Sequence, residues 1–264
     1  MLGGAMAMPG GPDLDAEKAL PRLLDFIRER TAAAGRKRLV VGLSGGVDSA
    51  TSAYLAVRAL GKENLTAFIL PYRTTQPQSI EDALLVVREL GVAHRVIDIT
   101  PVVDAYFDLF PEADRKRKGN FTARCRMAVL YDQSAALDAL VLGTGNRTEA
   151  MLGYTTLWGD MACAFNPLGG LYKSQVRMLA SYLGIPGSIL EKPPTADLWE
   201  GQTDEGEMGI SYEDADHILY CLFDLRLGEE ETVRRGCDPY LVDKVKVMVE
   251  ASSFKRRMPP FCEI

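Results

Sequence analysis

The sequence has little of what zinc sites, disulfide frameworks and hydrolytic triads require. Among its 264 residues are five cysteines without a Cys-x-x-Cys pair and two histidines, His94 and His217. A His-based metal cluster or a Ser-His-Asp triad would have to use one of these histidines, and no neighbouring motif supports either. We therefore expect no zinc site, ordinary surface or half-buried histidines, and reduced thiols in a cytoplasmic protein. The cysteines are Cys125, Cys163, Cys221, Cys237 and Cys262.

Long apolar runs and an excess of positive charge are also missing. No stretch approaches the roughly 20 consecutive apolar residues of a membrane span. The opening residues 1–12, rich in Gly, Met and Pro, lack the pattern of a signal peptide. The formal net charge is -6, from 30 basic and 36 acidic side chains, which argues against a general electrostatic attraction to nucleic acid. We expect neither a membrane nor a nucleic acid as partner.

Hydrophobic residues make up 47% of the chain and fall into alternating strand-like and helix-like patterns. Short apolar runs, such as 39–43 and 139–142, are typical of strands buried on both faces of a parallel sheet. Their alternation with amphipathic stretches predicts an α/β fold, a doubly wound and mostly parallel sheet with helices on both faces. Strands are expected at 39–43, 65–70, 94–99 and 139–142, and helices at 14–34, 48–60, 80–90, 120–137, 174–183, 212–226 and 239–251.

The same pattern predicts the domain organisation. We expect a disordered N-terminal segment at 1–13 and a single domain over 14–264, because no linker or internal repeat divides the rest of the chain. The polar segment 193–209 contains Pro and Gly but no apolar periodicity. Connections of that length are usually functional lids or disordered.

The first predicted strand runs into the string SGGVDS at 44–49, which precedes a helix. Its glycines let backbone N–H groups face inward, the helix N-terminus adds partial positive charge, and two serine hydroxyls add donors, a combination suited to pyrophosphate. Asp48 is an anion in this loop, which a Mg²⁺ ion shared with the phosphates explains best. The alternative is a tight turn in which Ser and Asp only cap the helix. A Walker A loop is excluded because no Lys follows the glycines.

The string SGGVDS resembles the pyrophosphate loop of the N-type ATP pyrophosphatases, which include NAD, GMP and asparagine synthetases and tRNA thiolation enzymes. The resemblance implies an adenine nucleotide alpha hydrolase-like fold and cleavage of ATP between its α- and β-phosphates. Four further segments follow in the order seen in NAD synthetases, and the chain resembles the ammonia-dependent form that has no glutaminase domain. The segments are GNFTARCRM at 119–127, GTGNRTE at 143–149, KSQV at 173–176 and KPPTADLW at 192–199.

This resemblance implies a ligase that amidates deamido-NAD to NAD through an adenylylated carboxylate, with ammonia as nitrogen donor and AMP and pyrophosphate as products. It also implies ATP and Mg²⁺ at the site, and a homodimer whose substrate site is shared between subunits. Two other interpretations stay open. One is an SGGxDS-type ligase for a different carboxylate, and the other is a non-catalytic nucleotide-binding module, against which the presence of both Asp48 and Glu149 argues.

The resemblance also assigns roles to individual residues. It implies Asp48 and Glu149 as Mg²⁺ ligands, Asp48 and Lys173 as catalytic residues, and Arg124 and Lys255 as contacts to the dinucleotide substrate. Taken singly, these could be solvated charges or helix-terminus acids. The acidic segment 202–209 resembles a loop that closes over ATP, with a plain solvated loop as the alternative. The implied ATP-binding residues are Gly42, Leu43, Ser44, Gly45, Gly46, Val47, Asp48, Ser49, Thr144, Lys173 and Thr195.

Three positions depart from the pattern typical of ammonia-dependent bacterial enzymes. Leu157 stands where those enzymes carry Lys, Ala164 where they carry Asp, and Phe254 where they carry His. The strings GYTTLWGD at 153–160 and FKRR at 254–257 look more like the glutamine-dependent branch. That branch has a glutaminase domain before this one, and the 38 residues ahead of the first strand are too few for such a domain. The expected nitrogen source is free ammonia or ammonia from a separate glutaminase subunit.

Overall fold

The computed structural model describes residues 11–195 and 201–262, and within them four parallel strands form one sheet in the order β3-β2-β1-β4. The chain builds the sheet outward from β1 in one direction and then returns to the other side of β1. Ligands of open α/β sheets bind at this kind of switch point, beyond the carboxyl ends of the strands. The strands are β1 (Arg38–Gly42), β2 (Leu65–Ile69), β3 (Ala93–Val96) and β4 (Ala139–Val141).

Helices connect and cover the strands, and the second helix begins within the SGGVDS string, at Val47. In chain order the described helices are α1 (Ala16–Ala33), α2 (Val47–Leu60), α3 (Pro77–Leu90), α4 (Thr100–Phe107), α5 (Arg115–Ala136), α6 (Arg147–Leu152), α7 (Lys173–Leu183), α8 (Gly187–Leu190), α9 (Asp204–Met208), α10 (Tyr212–Leu219), α11 (Glu229–Arg234) and α12 (Pro239–Ala251). Short 3₁₀ turns lie at Lys62–Asn64 and Ser253–Arg256, and a π-helical turn at Tyr220–Asp224 follows α10.

Side chains of the central strands alternate between two hydrophobic cores. Leu39 and Val41 pack with α1, α2, α3 and α7, whereas Val40 and Phe68 pack with α4 and α5. Each fully buried aliphatic side chain contributes about 1.5–3 kcal/mol relative to exposure, so both faces of the sheet stabilise the fold. The expected doubly wound α/β architecture is thereby confirmed.

A third core lies among the helices that follow the sheet. It joins Leu152 of α6, Ile218 of α10 and Val245 of α12, together with Tyr172 just before α7. This packing fixes α10 beside the first turns of α6 and α7. Polar residues on α10 therefore contact those first turns.

The expected elements and the observed ones differ mainly where segments are short or irregular. Sequence periodicity did not indicate five helices of eight residues or fewer, namely α4, α6, α8, α9 and α11. Of these, α9 lies within the segment 193–209 that was expected to be a loop. The expected strand at 94–99 is regular only over Ala93–Val96, although Ile97 and Ile99 still donate backbone hydrogen bonds to Ile69 and Pro71. The expected helix at 212–226 changes to π geometry after Leu219.

Both segments expected to be loop-like or disordered are described only in part. Residues 1–10 and 196–200 lie outside the described residues. Near the first gap, Pro12 is buried, and the Asp13 carbonyl accepts a hydrogen bond from Gln175 Nε2 at 2.9 Å. Near the second, Asp204 N donates to the Pro194 carbonyl at 3.1 Å. Within the described ranges, no helix is long and apolar enough to cross a bilayer.

Candidate active site

A cleft of about 860 Å³ opens beyond the carboxyl ends of the strands. The loop after β1, the loop after β4 and the first turn of α7 all reach it, because parallel strands deliver their exit loops to the same edge. Predicted ATP-binding residues that line the cleft are Gly42, Leu43, Ser44, Gly46, Val47, Asp48, Ser49, Thr144, Lys173 and Thr195.

The SGGVDS loop is held by its own serines and by a close approach to α3. Ser44 N donates to Ser49 Oγ at 3.2 Å, and Ser49 Oγ donates to the Gly46 carbonyl at 3.1 Å. Gly45 has φ +78° and packs so tightly that a Cβ atom there would lie 2.2 Å from the Ser79 carbonyl oxygen. Only glycine fits both constraints. Gly45 thus shapes the loop from behind and is not part of the cleft lining.

Asp48 points across the cleft and does not cap α2. The N-cap residue of α2 is Gly46, and no side chain bonds there to the helix N–H groups. The Asp48 carboxylate instead accepts hydrogen bonds from Lys173 Nζ and, at 3.0 Å, from Asn146 Nδ2. The alternative role of Asp48 as a simple helix cap does not match this geometry.

Lys173 joins two carboxylates in a nearly water-free position. Its side chain is 3% exposed, and its Nζ pairs with Asp48 and lies 3.4 Å from Glu149 Oε1. Burial alone would lower the pKa of Lys173, but the charges of Asp48 and Glu149 outweigh burial and raise it. Burial also raises the pKa of the Glu149 carboxyl to about 7, against the lowering effect of Lys173 and with a further raising effect from Asp48.

Glu149 is fixed by a capping box at the start of α6. Asn146 Oδ1 accepts from Glu149 N at 2.9 Å, and Glu149 Oε2 accepts from Asn146 N at 3.3 Å. Because Asn146 Nδ2 also donates to Asp48, one buried side chain connects the loops after β1 and β4. The spacing Asn-x-x-Glu is a recognisable helix-start pattern and could have identified Asn146 in the sequence.

Two residues of α10, Asp216 and Tyr212, hold the site through hydrogen bonds. Asp216 Oδ2 accepts from Ser174 N at 2.7 Å, and Asp216 Oδ1 accepts from the Thr148 hydroxyl, whose oxygen in turn accepts from Lys173 N at 2.9 Å. The Tyr212 hydroxyl lies 3.0 Å from Asp204 Oδ2 and 3.4 Å from Glu149 Oε1. No sequence motif pointed to Asp216 or Tyr212, because their role depends on how α10 packs.

Several basic residues also line the cleft. Lys255 lines it and donates to the carbonyls of Gly153 and Thr155 at 2.8 and 2.7 Å. Burial lowers the pKa of Lys255, partly offset by the negative charge of Asp160. Further cations in the lining are Arg115 and Lys116 on the first turn of α5, Arg126, and Lys192, which pairs with Asp82 at 2.8 Å.

Arg124 lies apart from the other predicted site residues. It is exposed on α5, outside the cleft lining, and its guanidinium donates twice to the Leu157 carbonyl, at 3.1 and 3.2 Å. The three departing positions, Leu157, Ala164 and Phe254, also lie outside the lining. The substrate contacts assigned to Arg124 and Lys255 stay predictions.

Asp48 and Glu149 could hold a magnesium ion. Carboxylate oxygens are the ligands that Mg²⁺ prefers, usually with waters and substrate phosphates completing its shell. The Lys173 ammonium contacts both carboxylates at once, so a cation at this point of the cleft can reach both. The residues present therefore fit the ion.

Comparison with known proteins decides the family. A family model described as NAD synthase matches residues 19–259. The chain belongs to the NAD synthase family. A curated family member from Trichlorobacter lovleyi, described as NH(3)-dependent NAD(+) synthetase, is 48% identical over 242 residues, which cover 92% of this chain and 89% of that protein.

Two solved structures share the fold over nearly the whole chain. The NH3-dependent NAD synthetase from Campylobacter jejuni is 35% identical with a TM-score of 0.81, and the match covers 95% of this chain and 100% of that one. The NMN synthetase from Francisella tularensis is 34% identical with a TM-score of 0.83, and the match covers 96% of this chain and 100% of that one.

Proposed function

We propose that the chain catalyses the ATP-dependent amidation of deamido-NAD to NAD, with ammonia as nitrogen donor and AMP and pyrophosphate as products. The observation that carries this proposal is the meeting of Lys173, Asp48 and Glu149 beside the SGGVDS loop, in a chain of the NAD synthase family. The loop and the N-terminus of α2 suit the diphosphate that leaves when ATP is cleaved after its α-phosphate.

In the first step, the deamido-NAD carboxylate attacks the α-phosphorus of ATP, and pyrophosphate leaves. Asp48 and Glu149 would hold a Mg²⁺ ion, which when bound neutralises part of the triphosphate charge. Lys173, released from one or both carboxylates, would turn its ammonium toward the phosphates. The backbone N–H groups after β1 would hold the departing pyrophosphate, so the protein stabilises charge in a fixed geometry.

In the second step, ammonia attacks the carbonyl carbon of the adenylate, AMP leaves, and the added nitrogen loses a proton. No covalent bond to the protein is needed, because AMP already activates the acyl group. Catalysis then depends mainly on positioning and charge stabilisation. The cations of the cleft, among them Lys255, Lys116 and Arg115, are suited to hold the phosphates of the dinucleotide.

A second candidate substrate is the corresponding mononucleotide, whose amidation gives NMN. The structural match to the NMN synthetase of Francisella tularensis favours it. Because of the three departures at Leu157, Ala164 and Phe254, a substrate with a different carboxylate is a further alternative. Both substrates require the same adenylylation chemistry, so Asp48, Glu149 and Lys173 keep their roles under either alternative.

We also propose that the protein is a homodimer in the cytoplasm, with free ammonia or a separate glutaminase subunit supplying nitrogen. Free thiols support a reducing compartment. Exposed apolar side chains on or next to α4 and α5 support a protein interface in this region; they are Val102 on α4, Leu109 just after α4 and Tyr131 on α5. Light scattering should give the mass of a dimer. Leu109→Glu should shift it toward monomer, whereas Phe261→Glu, at another exposed apolar site, should not.

One assay tests the proposed reaction. Purified chain is incubated with MgATP and ammonium, together with either deamido-NAD or nicotinate mononucleotide, and AMP, ADP, NAD and NMN are quantified. Equal amounts of NAD and AMP with deamido-NAD support the proposal. NMN formation without NAD formation supports the second candidate, and stoichiometric ADP contradicts both.

A further inference from the structure

A second cluster of chemically reactive side chains lies in the core formed by α6, α10 and α12. A ring nitrogen of His217 and the sulfur atoms of Cys221 and Cys237 all lie within 4.8 Å of one another. The three residues are 2%, 0% and 8% exposed. None of them lines the active-site cleft, so the reaction proposed above does not use them.

His217 is the unusual member of this cluster. Within the described part of the chain, neither Nδ1 nor Nε2 has a hydrogen-bond partner. A buried polar atom without a partner costs free energy, and the great majority of such atoms in proteins are satisfied. An imidazole nitrogen facing two thiols is satisfied at once if a metal ion takes the place between them. The unpaired, buried ring is therefore an observation, independent of the two thiols, that points to a ligand-binding role for this cluster.

The local fold brings the three residues together at an irregular point. His217 and Cys221 are four residues apart, so they share one helix face where α10 passes into the π-helical turn Tyr220–Asp224. Cys237 comes from the loop directly before α12. Turns with π geometry are rare and occur frequently at functional sites. Cys237 approaches this shared face of His217 and Cys221 closely enough for all three ligand atoms to lie within 4.8 Å of one another.

We propose that His217, Cys221 and Cys237 bind a structural Zn²⁺ ion. Thiolate and imidazole are preferred zinc ligands, and a water can take the fourth tetrahedral position. Two thiolates and a neutral imidazole balance the charge of Zn²⁺, so the occupied cluster adds no net charge to a buried core. A monovalent copper ion would leave a net negative charge, and Mg²⁺ prefers oxygen ligands.

The proposed ion would join α10 to the segment that leads into α12. His217 directly follows Asp216, which holds the first turns of α6 and α7 in the active site. Zinc would therefore stabilise the element on which the Lys173 position depends, without contacting substrate. Its effect should be seen in stability and in metal content.

The test uses the full chain, freed of any affinity tag, reduced and stripped of metal. Titration with Co²⁺ should produce intense thiolate-to-metal absorption at about one ion per chain, and Zn²⁺ should displace it. Saturating Zn²⁺ should raise Tm. Cys221→Ser and Cys237→Ser should remove both the absorption and the Tm increase, whereas Cys262→Ser, at an exposed cysteine, should keep both.

The proposal is overturned if the reduced wild-type chain gives no thiolate–cobalt absorption, or if the Cys221 and Cys237 variants bind as the wild type does. Mass spectrometry that finds a Cys221–Cys237 disulfide in the purified, metal-free protein, with no metal uptake after reduction, would also overturn it in favour of a redox pair. If a serine variant fails to fold, the wild type is alkylated with and without Zn²⁺ instead. Protection of two thiols by Zn²⁺ supports the proposal, and the absence of protection overturns it. Peptide mapping must assign the protected thiols to Cys221 and Cys237.

Discussion

Lys173 pairs with Asp48 across 125 residues of sequence, and the pair lies where the loop after β1 meets the first turn of α7. Glu149 completes this arrangement from the first turn of α6, which follows β4. Three separate chain segments therefore supply the charges at the SGGVDS loop. The three groups carry one net negative charge when all are ionised, which suits the divalent cation and nucleotide that we propose for this cleft.

Asp48→Asn should preserve the fold and remove most activity. Asparagine keeps the shape of the side chain but loses the charge that pairs with Lys173 and would ligate Mg²⁺. Loss of one such electrostatic contact at a reacting centre typically lowers kcat by about 10²–10³. Steady-state kinetics and thermal unfolding measure the two effects, with Asp25→Asn on the exposed face of α1 as control. Wild-type turnover at saturating Mg²⁺ would show that Asp48 is structural.

Lys173→Met should lower stability as well as activity. The variant leaves two carboxylates facing each other in a buried position, and breaking a buried ion pair costs about 3–5 kcal/mol. Added Mg²⁺ should recover part of this loss, so the Mg²⁺-dependent rise in Tm should exceed that of the wild type. Lys18→Met, at an exposed pair with Asp15, is the matched control. Equal Mg²⁺ responses in the wild type and Lys173→Met would contradict the shared cation position.

Gly45→Ala should disrupt the SGGVDS loop. The Cβ atom of alanine would lie 2.2 Å from the carbonyl oxygen of Ser79, which is a clash. The backbone φ of +78° at this position is also unfavourable for alanine. We expect a clear loss of ATP affinity, measured by calorimetry, together with a lower Tm. Gly170→Ala is the control because a Cβ there meets nothing within 4 Å. Unchanged ATP binding by Gly45→Ala would mean that the loop adjusts without cost.

The fold and the SGGVDS loop follow from local sequence patterns. Continuous apolar runs predict buried strands, as seen at Leu39–Val41, because both faces of the sheet are covered. The loop at 44–49 is identifiable because glycines, hydroxyls and a carboxylate follow a strand in one short string. Glu149 and Lys173 were identified only through the resemblance of their segments to NAD synthetases. Packing supplied what sequence could not, namely that Lys173 contacts both Asp48 and Glu149.

Other features depend on tertiary contacts and leave no local signal. Asp216 acts through the first turns of two other helices, so its own neighbours in sequence say nothing of its role. His217 was expected at the surface or half-buried, but the packing of α10 buries it. Cys237 reaches Cys221 only because the chain turns back through α11, and no short metal-binding motif spans that distance.

The 264-residue chain should use ammonium and ignore glutamine. Only unprotonated ammonia can attack the adenylate, so at fixed total ammonium the rate should increase from neutral toward alkaline pH until the fold or the ATP site is damaged. A glutamine analogue that alkylates catalytic thiols should not affect this activity, because no cysteine lines the cleft. NAD formation is measured with each nitrogen donor alone. Robust synthesis from glutamine by the purified chain would contradict this prediction and reveal a glutaminase site.

The most direct test of the mechanism follows the carboxylate oxygen. Deamido-NAD labelled with ¹⁸O in its nicotinate carboxylate is converted with MgATP and ammonium. The masses of the products are then measured by mass spectrometry. If the carboxylate attacks the α-phosphorus, one labelled oxygen must leave with AMP, because the later attack of ammonia breaks the bond between the acyl carbon and that oxygen. We predict label in AMP and in the NAD amide, and none in pyrophosphate. Unlabelled AMP, or label in a phosphate released with ADP, would contradict the adenylate mechanism.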